Sequence, residues 1–436
     1  MPLKIFPLFL GLISLGNSKP LAINHTAFET VYEWKYLNYE YDSASREKEY
    51  VQYGPGVKYT SYLSDFDLAK DGRMFVAVPK NKGGVSTLNT VSDKNGAGGP
   101  LLKPYPDWKW HSRKDCIGIY SAYRVQIDQC NRLWLLDSGI ESFSVRKCPA
   151  QLLMFDLSSD KLQLRISIPN EFFEDRNGEG RLTKLIVQSD GYSCQNTIVI
   201  MTYDDGSGLV VWNGKNLWRL NGVDSKILAG RIVINNLGLL ISPGTFGMSF
   251  SPKTDEKSQI LVLRSLASEN LFAVKLDDIL ATSSNVPNVQ LNDFSDIFHI
   301  FDAIRAKPVT LNDDKVVNYT SYYNVLPSSA SALVFNPDGI LFIGLNEFTA
   351  IGCWNSKTKL TADNIDILDQ DNKAIEFVQD AKVLQTSRTG NDEEELWILT
   401  TNLAKYSHRR IRWLDINYRI MKKTTSSLLT NSKCIV

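Results

Sequence analysis

A strand–turn–strand unit recurs along the chain, and this recurrence constrains the fold more than any other feature. The six occurrences span residues 64–78, 123–137, 185–201, 246–263, 332–344 and 381–400. In each, an apolar strand enters a turn, often Asp-Gly or Asn where the backbone needs a positive φ. A second strand then returns, and its continuous apolar character predicts a central place in a sheet.

The spacing of the units predicts a closed all-β fold. The return strands begin near residues 73, 132, 197, 259, 340 and 395, which leaves room for one four-stranded sheet per repeat. Such spacing is typical of a β-propeller, so six units predict six blades. A pair of β-sandwiches is the alternative, but it does not predict a recurrent motif. Helical candidates such as Leu271–Leu280 are short.

The two ends of the chain are expected to meet. Val31–Tyr41 has strand character before the first repeat, and Arg410–Asp415 and Tyr418–Met421 have it after the sixth. Pairing the N-terminal strand with the C-terminal strands would complete the last blade and leave no free edge. The predicted fold is therefore a six-bladed β-propeller closed by its terminal strands.

The N-terminus has the pattern of a secretory signal. Lys4 precedes an apolar run from Ile5 to Leu15, and small residues follow up to Ser18. A membrane anchor is the alternative, but about 20 apolar residues are needed to span a bilayer. We expect a signal peptide at residues 1–18, a single propeller domain at 19–436, and a secreted, extracellular protein without a membrane partner. Two sequons, at Asn24 and Asn318, fit this expectation, although either can remain unused.

An even number of cysteines in a secreted chain predicts disulfides. Cys130 and Cys194 fall at the same turn of neighbouring repeats, where equivalent turns lie side by side, so they are expected to pair. Cys116 and Cys148 bracket the second unit, which leaves Cys353 for Cys434. This is one of 15 possible connectivities for six cysteines and stands as a hypothesis.

Composition and motif searches exclude several function classes. Lys plus Arg and Asp plus Glu both number 48, so a net charge of zero gives no basis for nucleic-acid binding. The four histidines are scattered, and no CxxC, GxSxG, HExxH, P-loop or complete GxGxxG motif occurs. We therefore expect no metal and no cofactor. His111 and His299 are possible general bases without a nearby partner, Asp137, Asp204 and Asp205 could line a channel mouth or cap turns, and Trp134 and Trp397 are expected in the core.

Several long motifs resemble the major royal jelly protein and yellow protein family of insects. They are Gly98–Trp108, Ile127–Gly139, Gly352–Asn355 and the tail Asn417–Ile420, and the likeness covers roughly Tyr32 to Cys434. The resemblance implies a secreted six-bladed propeller. It also implies several functions, because members include abundant secretory products of glands, amine-binding salivary proteins and dopachrome-converting proteins.

The amine-binding members allow a comparison residue by residue. Their site uses an Asn after the Leu-Trp strand of the last blade, a Phe two residues later and a Thr before the preceding strand. The matching positions here are Asn402, Ala404 and Gln379. Only the Asn is retained, the aromatic wall is lost at Ala404, and Asn402 can also be read as a turn residue.

The sequence thus favours a non-enzymatic secreted protein that binds a small aromatic or amine ligand in the central channel, or a bulk secretory product. The alternative is a dopachrome-converting enzyme of pigment metabolism, for which no catalytic residue is identified. A structural or interaction protein acting through its blade faces is a third hypothesis. The oligomeric state and the ligand stay open.

Overall fold

Strands dominate the structure, a computed structural model. It describes residues 28–52, 61–111, 116–142, 145–174, 180–189, 194–204, 208–222, 230–241, 244–253, 258–283, 316–317, 319–388 and 391–435. The predicted signal peptide and the sequons at Asn24 and Asn318 lie outside these residues, as do His299 and Asp205.

Six sheets of at least four strands follow one another around the molecule. The chain opens with β1 (Glu29–Trp34), and blade 1 then contains β2 (Asp65–Leu68), β3 (Met74–Ala77), β4 (Leu88–Gly96) and β5 (Gly99–Pro104). Blade 2 contains β6 (Ala122–Ile127), β7 (Arg132–Asp137), β10 (Ala150–Asp156) and β11 (Lys161–Ile168), with β8 (Ile140–Glu141) and β9 (Val145–Arg146) as a side ribbon. Blade 3 contains β12 (Leu182–Ser189), β13 (Thr197–Tyr203), β14 (Leu209–Trp212) and β15 (Leu217–Gly222).

A two-stranded hairpin lies in the connection between blades 3 and 4. It is formed by β16 (Gly230–Ile234) and β17 (Leu237–Ile241). Blade 4 contains β18 (Thr245–Phe250), β19 (Ile260–Ser265), β20 (Leu271–Lys275) and β22 (Thr320–Tyr322), while β21 (Val316–Val317) adds in parallel to β15. Blade 5 contains β23 (Ala330–Phe335), β24 (Ile340–Leu345), β25 (Ala350–Asn355) and β26 (Asp366–Gln370), and blade 6 contains β27 (Val378–Arg388), β28 (Asn391–Thr401) and β29 (Tyr418–Thr424).

The few described helices lie in the connections. They are α1 (Ala44–Gln52), α2 (Leu276–Ala281), α3 (Leu403–Ser407) and α4 (Thr425–Leu429), with 3₁₀ turns at Trp108–Trp110, Asn170–Phe172 and Ala362–Asn364. Among the described residues, no helix has the length and apolar character needed to cross a membrane.

The structure confirms the six-bladed propeller and its closure. The two strands of each predicted repeat are the first two strands of one blade, and β1 pairs antiparallel with β29 as the outermost strand of blade 6. The expected strand Val31–Tyr41 is found only as far as Trp34, where β1 ends. Two other local expectations are wrong. Residues 410–415 form no strand, and Leu271–Leu280 divides into strand β20 and the short helix α2.

The core is distributed between the blades. Each of the six interfaces between neighbouring blades buries its own apolar cluster. Trp134 packs between blades 2 and 3, and Trp397 packs between blades 6 and 1, as expected for core residues. Because each blade presents apolar side chains on both faces, its second strand is almost wholly buried, as in β24.

The first strands of the blades form the inner ring. Each contacts the first strands of both neighbouring blades. Side-chain hydroxyls cross between these strands to backbone carbonyls: Ser64 Oγ donates to Tyr123 at 2.8 Å, Thr183 Oγ1 to Thr245 at 2.6 Å, and Ser331 Oγ to Val378 at 2.5 Å. The inner ring is therefore joined by hydrogen bonds as well as by packing.

The three disulfides have the hypothesised pairs, of which only Cys130–Cys194 followed from the repeat register. They are Cys116–Cys148, Cys130–Cys194 and Cys353–Cys434. The second joins blades 2 and 3 at their turns, and the third fixes the C-terminal tail to blade 5.

Candidate functional site

One end of the central channel collects side chains from equivalent places in the blades. These places are the start of the first strand and the loop that follows the second strand, which lie at the same rim because the two strands are antiparallel. We call this rim the channel mouth. Two adjoining cavities open there, and both are lined by Tyr62, Tyr123 and Arg181.

The larger cavity is mainly apolar and aromatic. Its empty volume, counting space open to solvent, is about 850 Å³. Its lining comprises Tyr62, Tyr123, Arg124, Arg181, Leu239, Leu240, Ile241, Phe246, Leu266, Ser331, Phe377, Gln379, Leu403, Tyr406 and Ser407. Aromatic walls with a few polar groups are what sites for small organic ligands usually present.

The hairpin β16–β17 forms one side of this cavity. Its residues Leu239 and Ile241 belong to an apolar cluster that also contains Phe377 and Ala404 of blade 6. Leu240, at the same place, is 88% exposed. The hairpin thus reaches from the blade 3–4 connection to blade 6 and is held over the mouth by side-chain packing.

The smaller cavity has a larger share of polar residues in its lining. It has an empty volume of about 300 Å³ and is lined by Tyr62, Pro79, Lys80, Asn81, Ser121, Tyr123, Ser138, Ile140 and Arg181. Asn81 Nδ2 donates to the Tyr406 hydroxyl at 3.3 Å, which links this lining to that of the larger cavity. The Nε of Arg181 donates to Asp204, whose side chain is 12% exposed.

Deeper in the channel, buried charges meet across its axis. Lys184 on β12 of blade 3 forms an ion pair with Asp380 on β27 of blade 6, and these blades lie on opposite sides of the ring. Lys382 Nζ lies 3.2 Å from Asp380 and 3.8 Å from Asp65 on β2. Because these groups bridge opposite inner strands, we call them the axial ion cluster.

Burial and charge set the protonation of the axial ion cluster. Burial alone would raise the pKa of Asp380, but Lys184 and Lys382 hold it well below its usual value. Burial, with the nearby Asp380 charge, raises the pKa of Asp65 to about 7. Burial lowers the pKa of Lys184 against the opposing effect of Asp380. Lys184 and Lys382 therefore stabilise the Asp380 carboxylate out of water, whereas burial disfavours the charged forms of Asp65 and Lys184.

The residues matched to the amine-binding site have different environments in the structure. Gln379 lines the larger cavity, while Ala404 is fully buried in the cluster beneath the hairpin. The Asn402 amide donates to the Ile416 carbonyl at 3.2 Å and to Asn417 at 3.1 Å, so its side chain fixes a loop of blade 6.

Sequence reasoning missed most of the lining. Tyr62, Tyr123, Arg181, Phe246 and Phe377 all lie within three residues of the start of a first strand. The repeat register contained this signal, because it fixes which residues begin each inner strand. Reading that position across all six repeats gives candidate residues, but which of them line the cavity depends on how the ring closes.

Other candidate residues have structural partners. Asp137 accepts hydrogen bonds from the backbone of Tyr120, Ser121 and Gly139, as a turn-capping residue does. His111 is buried away from both cavities and bonds to Tyr105. Within the described part of the chain, no group of three or more His, Cys, Asp or Glu side chains is arranged to hold a metal ion.

Comparison with known proteins identifies relatives over nearly the whole chain. A family model described as major royal jelly protein matches residues 120–307 and 302–434. Major royal jelly protein 7 of Apis mellifera is 31% identical over 422 residues, covering 94% of this chain and 87% of that protein. Major royal jelly protein 8 of the same species is 30% identical over 443 residues and covers 98% of both chains.

Solved structures resemble the chain only remotely. The virginiamycin B lyase from Staphylococcus aureus aligns with a TM-score of 0.39 at 8% identity, covering 84% of this chain and 96% of that one. A likeness at this level indicates no function.

Proposed function

Since this chain belongs to the major royal jelly protein family, we propose that it is a secreted, non-enzymatic protein that binds a small aromatic ligand at the channel mouth. Because the family that the chain resembles includes amine-binding members, biogenic amines are among the ligands to be tested. The proposal concerns the channel mouth of a closed propeller, where blades contribute side chains to one concave site.

Secretion is supported by two features. The N-terminal residues 1–18 have the order of charge, apolar run and small residues that signal peptides have. All six cysteines of the chain are paired in disulfides, which form and persist in oxidising compartments.

The composition of the larger cavity is the observation that carries ligand binding. Tyr62, Tyr123, Phe246 and Phe377 surround it, and Gln379 and Arg124 add polar groups. An aromatic ring placed there would exchange water for ring contacts on several sides, each worth roughly 0.5–1.5 kcal/mol beyond the area buried.

Calorimetric titration with indole and catechol derivatives tests the proposal. Phe246 and Phe250 lie at opposite ends of β18 and are both partly buried, but only Phe246 lines the cavity. Replacing Phe246 by Ala should weaken binding roughly five- to tenfold because one aromatic wall is lost. Phe250→Ala is the matched control and should leave affinity unchanged. Equal effects of the two variants, or no binding by the native protein, would contradict the proposal.

The non-enzymatic part has a separate test. Purified protein is incubated with dopachrome, and loss of its absorbance is followed against a heat-denatured sample. We expect equal rates. Protein-dependent turnover would overturn the non-enzymatic proposal and establish the dopachrome-converting alternative.

A further inference from the structure

The two cavities of the channel mouth differ in character but share a boundary. The larger one provides aromatic walls, and the smaller one provides Lys80, Asn81, Ser121 and Ser138. Tyr62, Tyr123 and Arg181 line both, so Arg181 lies where a substituent on a ring in the larger cavity could meet the smaller one.

The charged side chains that line the two cavities are all positive. Arg124 and Arg181 line the larger cavity, and Lys80 and Arg181 line the smaller one. None of the described residues that line either cavity is an Asp or a Glu. A cationic ligand would therefore meet cations first.

The nearby carboxylates of Asp204 and Asp380 already form ion pairs within the protein. Asp204 pairs with Arg181 and lines neither cavity. Asp380 pairs with Lys184 and Lys382 in the axial ion cluster. Arg124 directs its hydrogen bonds to the backbone carbonyls of Ser64 and Thr183, which carry no net charge.

Arg181 retains access to the cavity despite its pair. Its side chain is 22% exposed and lies at the junction of the two cavities. The guanidinium charge is spread over the whole planar fork, so Arg181 attracts a ligand carboxylate at the cavity while it keeps its pair with Asp204. Lys80, whose Nζ also donates to the Gly84 carbonyl, supplies a second positive charge in the smaller cavity.

We propose that the channel mouth is selective for aromatic acids over aromatic amines, with the ring in the larger cavity and the acidic group at Arg181 and Lys80. This inference rests on the proposed function, because it assigns the class of ligand to the same site. It departs from the amine-binding relatives, whose Phe and Thr positions are occupied here by Ala404 and Gln379.

Three probes with one ring system separate the effect of charge from that of ring packing. They are indole-3-propionate, tryptophol and tryptamine, whose side chains end in a carboxylate, a hydroxyl and an ammonium group. Calorimetry should give affinities in that order, with the acid at least about tenfold tighter than the amine. Added salt should narrow the difference, because screening weakens the charge contribution.

Variants of the cations test the position of the acidic group. Lys80→Gln and the double variant Arg181→Gln/Asp204→Asn, which keeps the net charge, should each weaken the acid roughly fivefold or more and leave tryptophol unchanged. Arg132 forms a similar pair with Asp128, with side-chain exposures of 16% and 1%, and lines neither cavity. Arg132→Gln is therefore the control and should preserve the order of affinities. Lys80 is only partly buried, so its variant tests the proposal even if the double variant does not fold.

The possible outcomes distinguish the proposed selectivity for acids from the proposed binding of aromatic ligands. If tryptamine binds as tightly as the acid or more tightly, the selectivity is overturned while aromatic binding stands. If the acid keeps its advantage in both cation variants, the placement at Arg181 and Lys80 is overturned. If no probe binds, ligand binding at the mouth fails and the inference fails with it.

Discussion

His111 is held in one protonation state and one tautomer by its surroundings. Its Nε2 lies 2.9 Å from the Tyr105 carbonyl, and its Nδ1 accepts from the Thr87 amide at 3.4 Å. A proton on Nδ1 would remove that acceptor, and burial lowers the pKa of His111 to about 4. This environment indicates a neutral structural histidine rather than a general base.

Acid should therefore destabilise the protein through His111. With an unfolded pKa of 6.5 and a folded pKa of about 4, the unfolded chain binds more protons between these values. The contribution is fully present above about pH 6.5 and is lost as the pH falls toward about 4. Between about pH 7.5 and about pH 5, we expect the unfolding free energy measured in urea to fall by roughly 2 kcal/mol more in the native protein than in His111→Gln. His408→Gln, at an exposed histidine, is the control variant. Equal pH profiles for the native protein and His111→Gln would contradict the assignment.

Gly139 shows why a residue of the Ile127–Gly139 motif is restricted. Its φ is +65°, and a Cβ at this position would come within 1.9 Å of the Cys148 carbonyl oxygen. Its amide donates to Asp137 at 3.0 Å. The turn after β7 thus needs both the left-handed backbone and the missing side chain.

Inner strands from opposite blades are coupled by the axial ion cluster. The Lys184–Asp380 pair connects β12 with β27, and both side chains are less than a tenth exposed. Buried ion pairs are costly to break because the remaining charge has lost its solvent without keeping its partner. The loss of stability when the pair is broken should therefore measure the contact between two strands that are far apart in sequence.

Removing one member of the pair should cost more than removing both. Lys184→Met leaves Asp380 with Lys382 alone and should lower the unfolding free energy by about 3–5 kcal/mol. Lys184→Met/Asp380→Asn should recover part of that loss. Denaturant unfolding of the native protein, the two single variants and the double variant forms a complete cycle. Additive single effects would show that the two strands are not coupled through this pair.

Element boundaries follow from turn chemistry where the turn is local. Asn131 and Gly339 have φ values of +58° and +84° at the turns between the first two strands of their blades. Residues 410–415 have strand-like composition but form no strand, and Trp413 and Leu414 are more than half exposed. The position beside β28 in the sheet is occupied by β29 instead. Propensity alone does not decide which segment gains a pairing partner.

The ring as a whole is closed by β1, whose partners come from the other end of the chain. Trp34 at its C-terminal end is fully buried between blades 6 and 1, and its indole nitrogen donates to the Pro100 carbonyl at 2.8 Å. One side chain thus joins the closing strand to the first blade.

Loss of Trp34 should weaken closure of the whole molecule. Trp34→Ala should lower the unfolding free energy by about 3–5 kcal/mol, because it leaves a cavity and an unpaired carbonyl. Trp413, which is 53% exposed, is the matched control, and its replacement by Ala should change stability by no more than about 0.5 kcal/mol. Similar melting temperatures for both variants would show that β1 contributes little to closure.

The sequence determined the number of blades, the closure by the termini and the pairing of Cys130 with Cys194, because strands, turns and their register repeat locally along the chain. It did not determine the channel mouth. Tyr62, Tyr123, Arg181, Phe246 and Tyr406 come from five places in the sequence and become one site only when the ring closes. Lys184 and Asp380 likewise meet across the axis only in the folded ring. Which side chains face one another across a propeller depends on contacts between distant segments, and the tertiary structure alone decides them.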